Sequence, residues 1–250
     1  MMSNLALCLR QGTQNSHTMA ENTAFMKCFL KGIVEREPFR KLTADLYFVY
    51  RTLEEEMRRH REHPVVGPMV FSELERTQKL EADLAFYYGA DWRNAIAASP
   101  AGKEYVARLR EIANHQPELL IAHAYVRYMG DLSGGQSLRN IARSALDLPA
   151  DKGTGLHEFD QIPTAEARRV FKQIYREALD SLPVDAEMTQ AIVDEANMAF
   201  AFNRNVFHEL ESAVRTAVGD HVFDLITRQD KPGSTERKPG STSVELVAAE

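Results

Sequence analysis

Leu119-Leu120-Ile121-Ala122-His123-Ala124-Tyr125-Val126-Arg127-Tyr128-Met129-Gly130-Asp131-Leu132-Ser133-Gly134-Gly135-Gln136-Ser137-Leu138-Arg139-Asn140-Ile141-Ala142-Arg143 is the stretch on which the reading of this chain turns. Both flanks carry helical periodicity, yet three glycines fall within the six residues 130–135. In a helix interior each costs about 1 kcal/mol relative to alanine. A helix accepts that where something must approach its backbone, or where it must bend. Gly130 and Gly134, four positions apart, share a face. They expose a bare strip of backbone with the carboxylate of Asp131 beside it, on which a flat ligand could lie. The other reading of the same glycines is a helix–helix contact or the turn of a helical hairpin.

Outward from this block, helical periodicity continues almost everywhere and strand signals are nearly absent. The spacing predicts helices near 4–18 (extending toward the mid-20s), 25–35, 38–60, 70–88, 101–115, 117–146 with its glycine break, 164–181 and 185–225. Proline punctuates the breaks at Pro38, Pro64, Pro68, Pro100, Pro117 and Pro183, and 149–155 reads as a loop. The expectation is an all-α, single-domain, multi-helix protein over residues 1–227. From 228 to 250 the composition changes to Pro, Gly, Ser, Thr and charge, with Lys-Pro-Gly-Ser-Thr at 231–235 and again at 238–242. Such a tail buries little apolar surface and is expected to be disordered.

Composition narrows the function classes. With 30 basic and 36 acidic residues the formal charge is −6, which argues against a nucleic-acid binder. The 250 residues suffice for a full core. Cys8 and Cys28 lack CxxC spacing, so free thiols in a reducing cytoplasm are expected. The N-terminus lacks the features of a secretory signal, and apolar runs are far short of the roughly 20 residues a membrane span needs.

Among the eight histidines no pair makes a convincing metal site, and His60 with His63 sits in a charged helix end expected to be solvated. His123 is expected to make a structural hydrogen bond. His17 stands apart, because Arg10, Thr13 and Glu21 share its helix face. One imidazole with a carboxylate one turn away suits a single-ligand iron site, with Glu21 orienting the ring. The same histidine could equally cap or pack an N-terminal helix. Lys172 and Arg176, spaced i,i+4 with no acid between them on that face, suit an anion or a solvated helix surface. In the stripe Ala196, Phe200, Asn203, Phe207, Leu210, Val214 the amide of Asn203 is the polar exception, and buried it must be hydrogen-bonded.

Taken together, Thr13-Gln14-Asn15-Ser16-His17-Thr18-Met19-Ala20-Glu21-Asn22, Leu46–Met57, Tyr125–Gln136 with its Gly-Asp-Leu-Ser-Gly-Gly core, and Phe171-Lys172-Gln173-Ile174-Tyr175-Arg176 resemble haem oxygenase. The resemblance runs in order over residues 4–225. It implies haem b, at once cofactor and substrate, held between a proximal helix and a glycine-kinked distal helix. His17 matches the proximal iron ligand and Glu21 its carboxylate neighbour. Gly130 and Gly134 match the distal glycines, and Asp131 the carboxylate that holds distal water. Tyr50, Tyr105, Arg127 and Asn203 match the polar network behind that water. Arg10, Tyr125, Lys172 and Arg176 match the propionate-binding positions, Arg10 standing where several relatives have Lys. Phe200 and Phe207 are placed on the haem side of the late helix, and Val126 sits where relatives often have Thr.

The reaction implied is oxidative opening at a meso carbon, α by resemblance, giving biliverdin, carbon monoxide and ferrous iron, with O2 as co-substrate. Asp131 and Arg127 would order the water that delivers protons on the distal side. Pairing of the propionates with Arg10, Lys172 and Arg176 would set which meso carbon is exposed. The want of a C-terminal anchor resembles the soluble, ferredoxin-fed, bilin-forming branch. Ferredoxin is then the expected electron donor, docking on cations among Arg10, Arg139, Arg143, Arg168, Arg169, Lys172 and Arg176, and a bilin reductase the downstream partner. A non-catalytic haem carrier or sensor is the alternative.

Overall fold

The computed structural model describes residues 4–235, which are helices and turns with no strand among them. The helices in chain order are α1 (Leu5–Gly12), α2 (Gln14–Glu21), α3 (Ala24–Leu30), α4 (Arg36–Arg59), α5 (Thr77–Tyr88), α6 (Trp92–Ala95) and α7 (Pro100–His115). They continue as α8 (Leu120–Ala124), α9 (Gly130–Leu146), α10 (Ala165–Asp180), α11 (Ala186–Glu209), α12 (Glu211–Val218) and α13 (Asp220–Thr227). The expectation of an all-α fold holds.

Two long helices organise the core. In α4 the buried Phe39, Leu42, Leu46, Val49, Tyr50, Leu53 and Met57 recur every three or four residues, the stripe that packs on α5 and α7. In α11 the buried Ile192, Ala196, Ala199, Asn203 and Val206 do the same, facing α1, α2, α7 and α8. Thr23, Ser99, Thr164 and Asp185 cap α3, α7, α10 and α11, each side chain accepting from an N–H three residues on. Such caps stabilise by about 1 kcal/mol each. Long-range caps join elements as well. Glu54 of α4 accepts from the backbone of Arg76 and Thr77 at the start of α5. Asp83 accepts from Gly155 and Leu156 and holds that loop against α5.

The boundaries differ from the sequence-based expectations in several places, among them the helix expected over 25–35, which ends at Leu30, and α6, which the spacing does not predict. The first helix breaks at Thr13, whose hydroxyl donates back to the Leu9 carbonyl at 2.7 Å. The segment expected from 70 becomes helical at Thr77, after two short 3-10 turns at Gly67–Met69 and Ser72–Leu74. The expected 185–225 helix is three helices, interrupted at Leu210 and at Gly219, whose φ of 83° ends α12. Between α8 and α9 lies a wide π-helical turn, Tyr125–Met129, so the irregularity comes just before the first glycine and α9 itself is regular.

The chain beyond 228 also departs from expectation as far as Thr235. Asp230, Lys231, Ser234 and Thr235 hydrogen-bond to α2 and α3. Composition predicts disorder because little apolar surface is available, whereas this segment is held by polar and backbone bonds. Residues 236–250, including the second pentapeptide, lie outside the described residues. Among the described residues no helix is long and apolar enough to cross a membrane.

Candidate active site

The distal wall is built where side chains of α9 and of the turn before it meet side chains of α4 and α11. A Cβ added at Gly130 or Gly134 would meet nothing within 4 Å, so both glycines face open space. Gly135 has a different reason, since its Cβ would lie 3.0 Å from Nδ1 of the buried His157. Two glycines thus leave room for a ligand and the third is a packing contact.

Asp131 is buried beside this strip and accepts a short hydrogen bond from the Tyr50 hydroxyl. Arg127 Nε donates to the Tyr50 oxygen at 3.1 Å and Nη1 to Asn203 Oδ1 at 2.8 Å. Its Nη2 lies 3.9 Å from Asp131 Oδ1. Asn203 in turn donates to the Ala199 carbonyl at 2.9 Å, so its buried amide is satisfied. Burial raises the Asp131 carboxyl above its ordinary range, opposed by the Arg127 charge, the Tyr50 hydroxyl and Arg76. Such a carboxyl holds its proton more readily than one in water, which suits proton delivery.

Behind this set the polar chain continues. Tyr105 stacks on Phe202 with ring centroids 5.2 Å apart, and its hydroxyl lies 3.2 Å from His123 Nδ1. His123 Nε2 lies 2.9 Å from Glu195 Oε1, which assigns the proton on Nε2 because a carboxylate can only accept. Nδ1 is then the acceptor for the Tyr105 O–H. Arg108 closes the chain with two bonds to Glu195, 3.0 and 2.6 Å. Burial by itself would raise the Glu195 carboxyl, but the bonds from His123 and Arg108 override it and hold it at about 2. The structural bond expected of His123 is therefore present, and its partner is a glutamate 72 residues away.

On the other side, His17 projects from α2, half-buried, with Nδ1 at 3.7 Å from Glu21 Oε2. That nitrogen is buried and makes no hydrogen bond. The Phe200 ring stands edge-on to the imidazole, centroids 5.6 Å apart. Phe207 does not share this place. It lies seven residues further along α11 and stacks on Phe25 of α3 at 5.6 Å. α11 packs against both α2 and the Tyr125–Met129 turn, so it forms the floor between the two walls.

One edge is cationic. Burial raises the Tyr125 phenol, and the nearby charges of Arg176 and Arg10 pull it back. Partial burial lowers the Lys172 ammonium, with Arg176 and Arg168 adding to it. Among the described residues none of Arg10, Lys172 and Arg176 is paired with a carboxylate. Unpaired cations beside a phenol are the donor set for a dianionic ligand edge.

The donors present fit haem: an imidazole with a free second nitrogen, a glycine strip open to a flat ring, and uncompensated cations for its carboxylates. Glu195, Arg108 and Ser234 are the residues that sequence reasoning missed. Their contacts join segments 87 to 213 residues apart, and no local pattern encodes that.

The family model described as Heme oxygenase matches residues 3–209. The chain is 58% identical over 237 residues to "Heme oxygenase 2" of Synechocystis sp., covering 95% of each. It is 48% identical over 231 residues to the heme oxygenase of the alga Rhodella violacea, 92% of this chain and 97% of that one. Among solved structures, heme oxygenase-2 from Synechocystis sp. PCC 6803 in complex with heme and NO superposes with a TM-score of 0.93 at 58% identity, over 95% of this chain and 97% of that one. The chain belongs to the haem oxygenase family.

Proposed function

We propose that this enzyme binds haem b between α2 and α9 and opens it oxidatively at a meso carbon, with O2 as co-substrate. The observation that carries the reading is the pairing of an open glycine strip with the buried Asp131–Tyr50–Arg127–Asn203 network. Bound haem supplies the iron that binds and reduces O2 and the meso carbon that is oxidised. His17 would hold the iron, and an imidazole, unlike a thiolate, would push little charge onto it.

The rest of the work is done by the chain. Gly130 and Gly134 let the α9 backbone lie against the ring. Asp131, kept from its ordinary acidity by burial, holds a distal water and hands a proton through it. Tyr50 and Arg127 fix the carboxylate's orientation, and Asn203 fixes Arg127. Arg10, Tyr125, Lys172 and Arg176 would grip the propionates and so fix the in-plane rotation that selects the meso carbon.

Electrons are proposed to come from ferredoxin, in the cytoplasm, and the product to pass to a bilin reductase. The surface cations considered for docking are unequal. Arg139 and Arg143 are paired with Glu158, and Arg169 with Glu166. Among the described residues Arg168 donates to backbone carbonyls and, like Arg10, Lys172 and Arg176, pairs with no carboxylate. Turnover falling steeply with salt supports such a docking site. A carrier or sensor would need the pocket without the buried distal carboxylate, and the presence of Asp131 favours the enzyme.

The test is spectral. Purified protein mixed with hemin and given reduced ferredoxin in air should show a Soret band that decays into biliverdin absorption. A Soret band that persists with that donor and with ascorbate would favour the carrier. No Soret band would refute the site.

A further inference from the structure

The segment that follows α13 lies along α2 and is tied to it at several points. The Asn22 amide donates to the Lys231 carbonyl, and the Lys231 N–H donates back to Asn22 Oδ1, both at 2.8 Å. Lys27 Nζ reaches Asp230 Oδ1 at 2.6 Å and the Thr227 carbonyl at 3.1 Å. Gln14 donates to the Thr235 carbonyl at 3.1 Å. Between these anchors Gly233 rests on Thr18 so closely that a Cβ would collide with it. Ser234 then gives both of its donors to one carboxylate. Its N–H lies 2.7 Å from Glu21 Oε2 and its hydroxyl 2.5 Å from Oε1.

Glu21 Oε2 is also the oxygen 3.7 Å from His17 Nδ1. A carboxylate already accepting two hydrogen bonds has less to offer a third donor, and the buried His17 Nδ1 is without a partner. A ligating imidazole becomes a stronger donor when its second nitrogen gives its proton to a carboxylate. We propose that residues 230–235 form a strap over the proximal helix, and that Ser234, by occupying Glu21, is a positioning residue that keeps His17 a weakly polarised iron ligand. This rests on the reading of His17 as the haem ligand.

The experiment compares the full-length protein, Ser234→Ala, Ser234→Thr and a chain ending at Arg228, all loaded with haem. That truncation removes both copies of the pentapeptide and keeps every helix among the described residues, the last of which ends at Thr227. The readouts are the iron–histidine stretching band of the ferrous form and hydrogen exchange over residues 14–22. Truncation removes both donors and frees Glu21 to turn to His17 Nδ1, so the band should rise in frequency there. Ser234→Ala loses the hydroxyl and keeps the N–H on Oε2, so its rise should be smaller. Ser234→Thr, which keeps the hydroxyl, should hold the wild-type frequency. Faster exchange over 14–22 with an unmoved band would make the strap mere adhesive and overturn the proposal, and so would a fall in frequency. His17→Ala serves as control. If the band is absent from wild type, or survives in His17→Ala, the ligation reading itself fails and takes the proposal with it.

Discussion

Asp131, Tyr50 and Asn203 on the distal wall are 5, 0 and 6% exposed and are tied together through Arg127, whereas α2 on the proximal wall has no buried residue. The distal groups come from α4, α9 and α11 and the turn before α9, elements that also carry the core. Their positions are therefore fixed by the packing that folds the protein. α2 is seated by peripheral polar links instead, from Ser16 to Asn197 and from Glu21 to Ser234. A proton-delivering group must be held in place before the ligand arrives. A ligand-bearing helix that must admit a large planar substrate gains from being less tightly built.

The sharpest way to break this comparison is at the buried carboxylate beside the glycine strip. Asp131→Ala should keep hemin affinity within about threefold, while biliverdin formation falls on the order of 10²-fold or more. Unchanged yield in a single-turnover assay would remove Asp131 from proton delivery.

A second prediction concerns what stiffens the distal side from behind. Glu195→Ala leaves the buried His123 without its acceptor and Arg108 with Glu111 alone, and should cost about 3 kcal/mol, roughly 6–12 °C in Tm. The same carboxylate predicts an acid limit. Its folded value of about 2 lies below the ordinary 4.5, so its contribution is full above pH 4.5 and is lost as pH falls toward 2. Thermal melts of wild type and Glu195→Ala should therefore converge on acidification. Parallel curves down to pH 2 would show that Glu195 carries no such linkage.

At the cationic edge, Lys172→Glu with Arg176→Glu should leave ring opening intact but change the proportion of biliverdin isomers, read by HPLC. A single unaltered isomer would separate regiochemistry from these cations. The smallest effect is expected at the glycine strip. Gly134→Ala adds a methyl into open space on a regular helix, which should stabilise the ligand-free protein by up to about 1 kcal/mol. The same methyl should weaken hemin binding several-fold. A rise in Tm with unchanged affinity would mean the ring does not lie there.

Much of this was legible in sequence because its physics is local. Periodicity predicts α4, α7, α10 and most of α11, since a buried stripe repeats with the helix. Gly130, Gly134 and Asp131 stand out because glycine is costly in a helix, and His17 with Glu21 because i,i+4 spacing puts them on one face. Asn203 stood out as an amide in an apolar stripe, and the structure supplies its partner, Arg127. The break at Thr13 was not legible, because a threonine that back-bonds to Leu9 looks like any other threonine in a helix. Phe207 was placed with Phe200 by its spacing, yet α3 claims it through Phe25.

The sequence alone determined an all-α chain, its main helices, a glycine strip beside a carboxylate, and a histidine with an acid one turn away. Each follows from residue spacing within a helix. Only the tertiary structure decided that Asp131 answers to Tyr50, that His123 answers to Glu195, and that the segment around Gly233 closes over Glu21. Those contacts cross from 72 to 213 residues of chain, and their energy comes from desolvated polar groups finding partners, which no local pattern records.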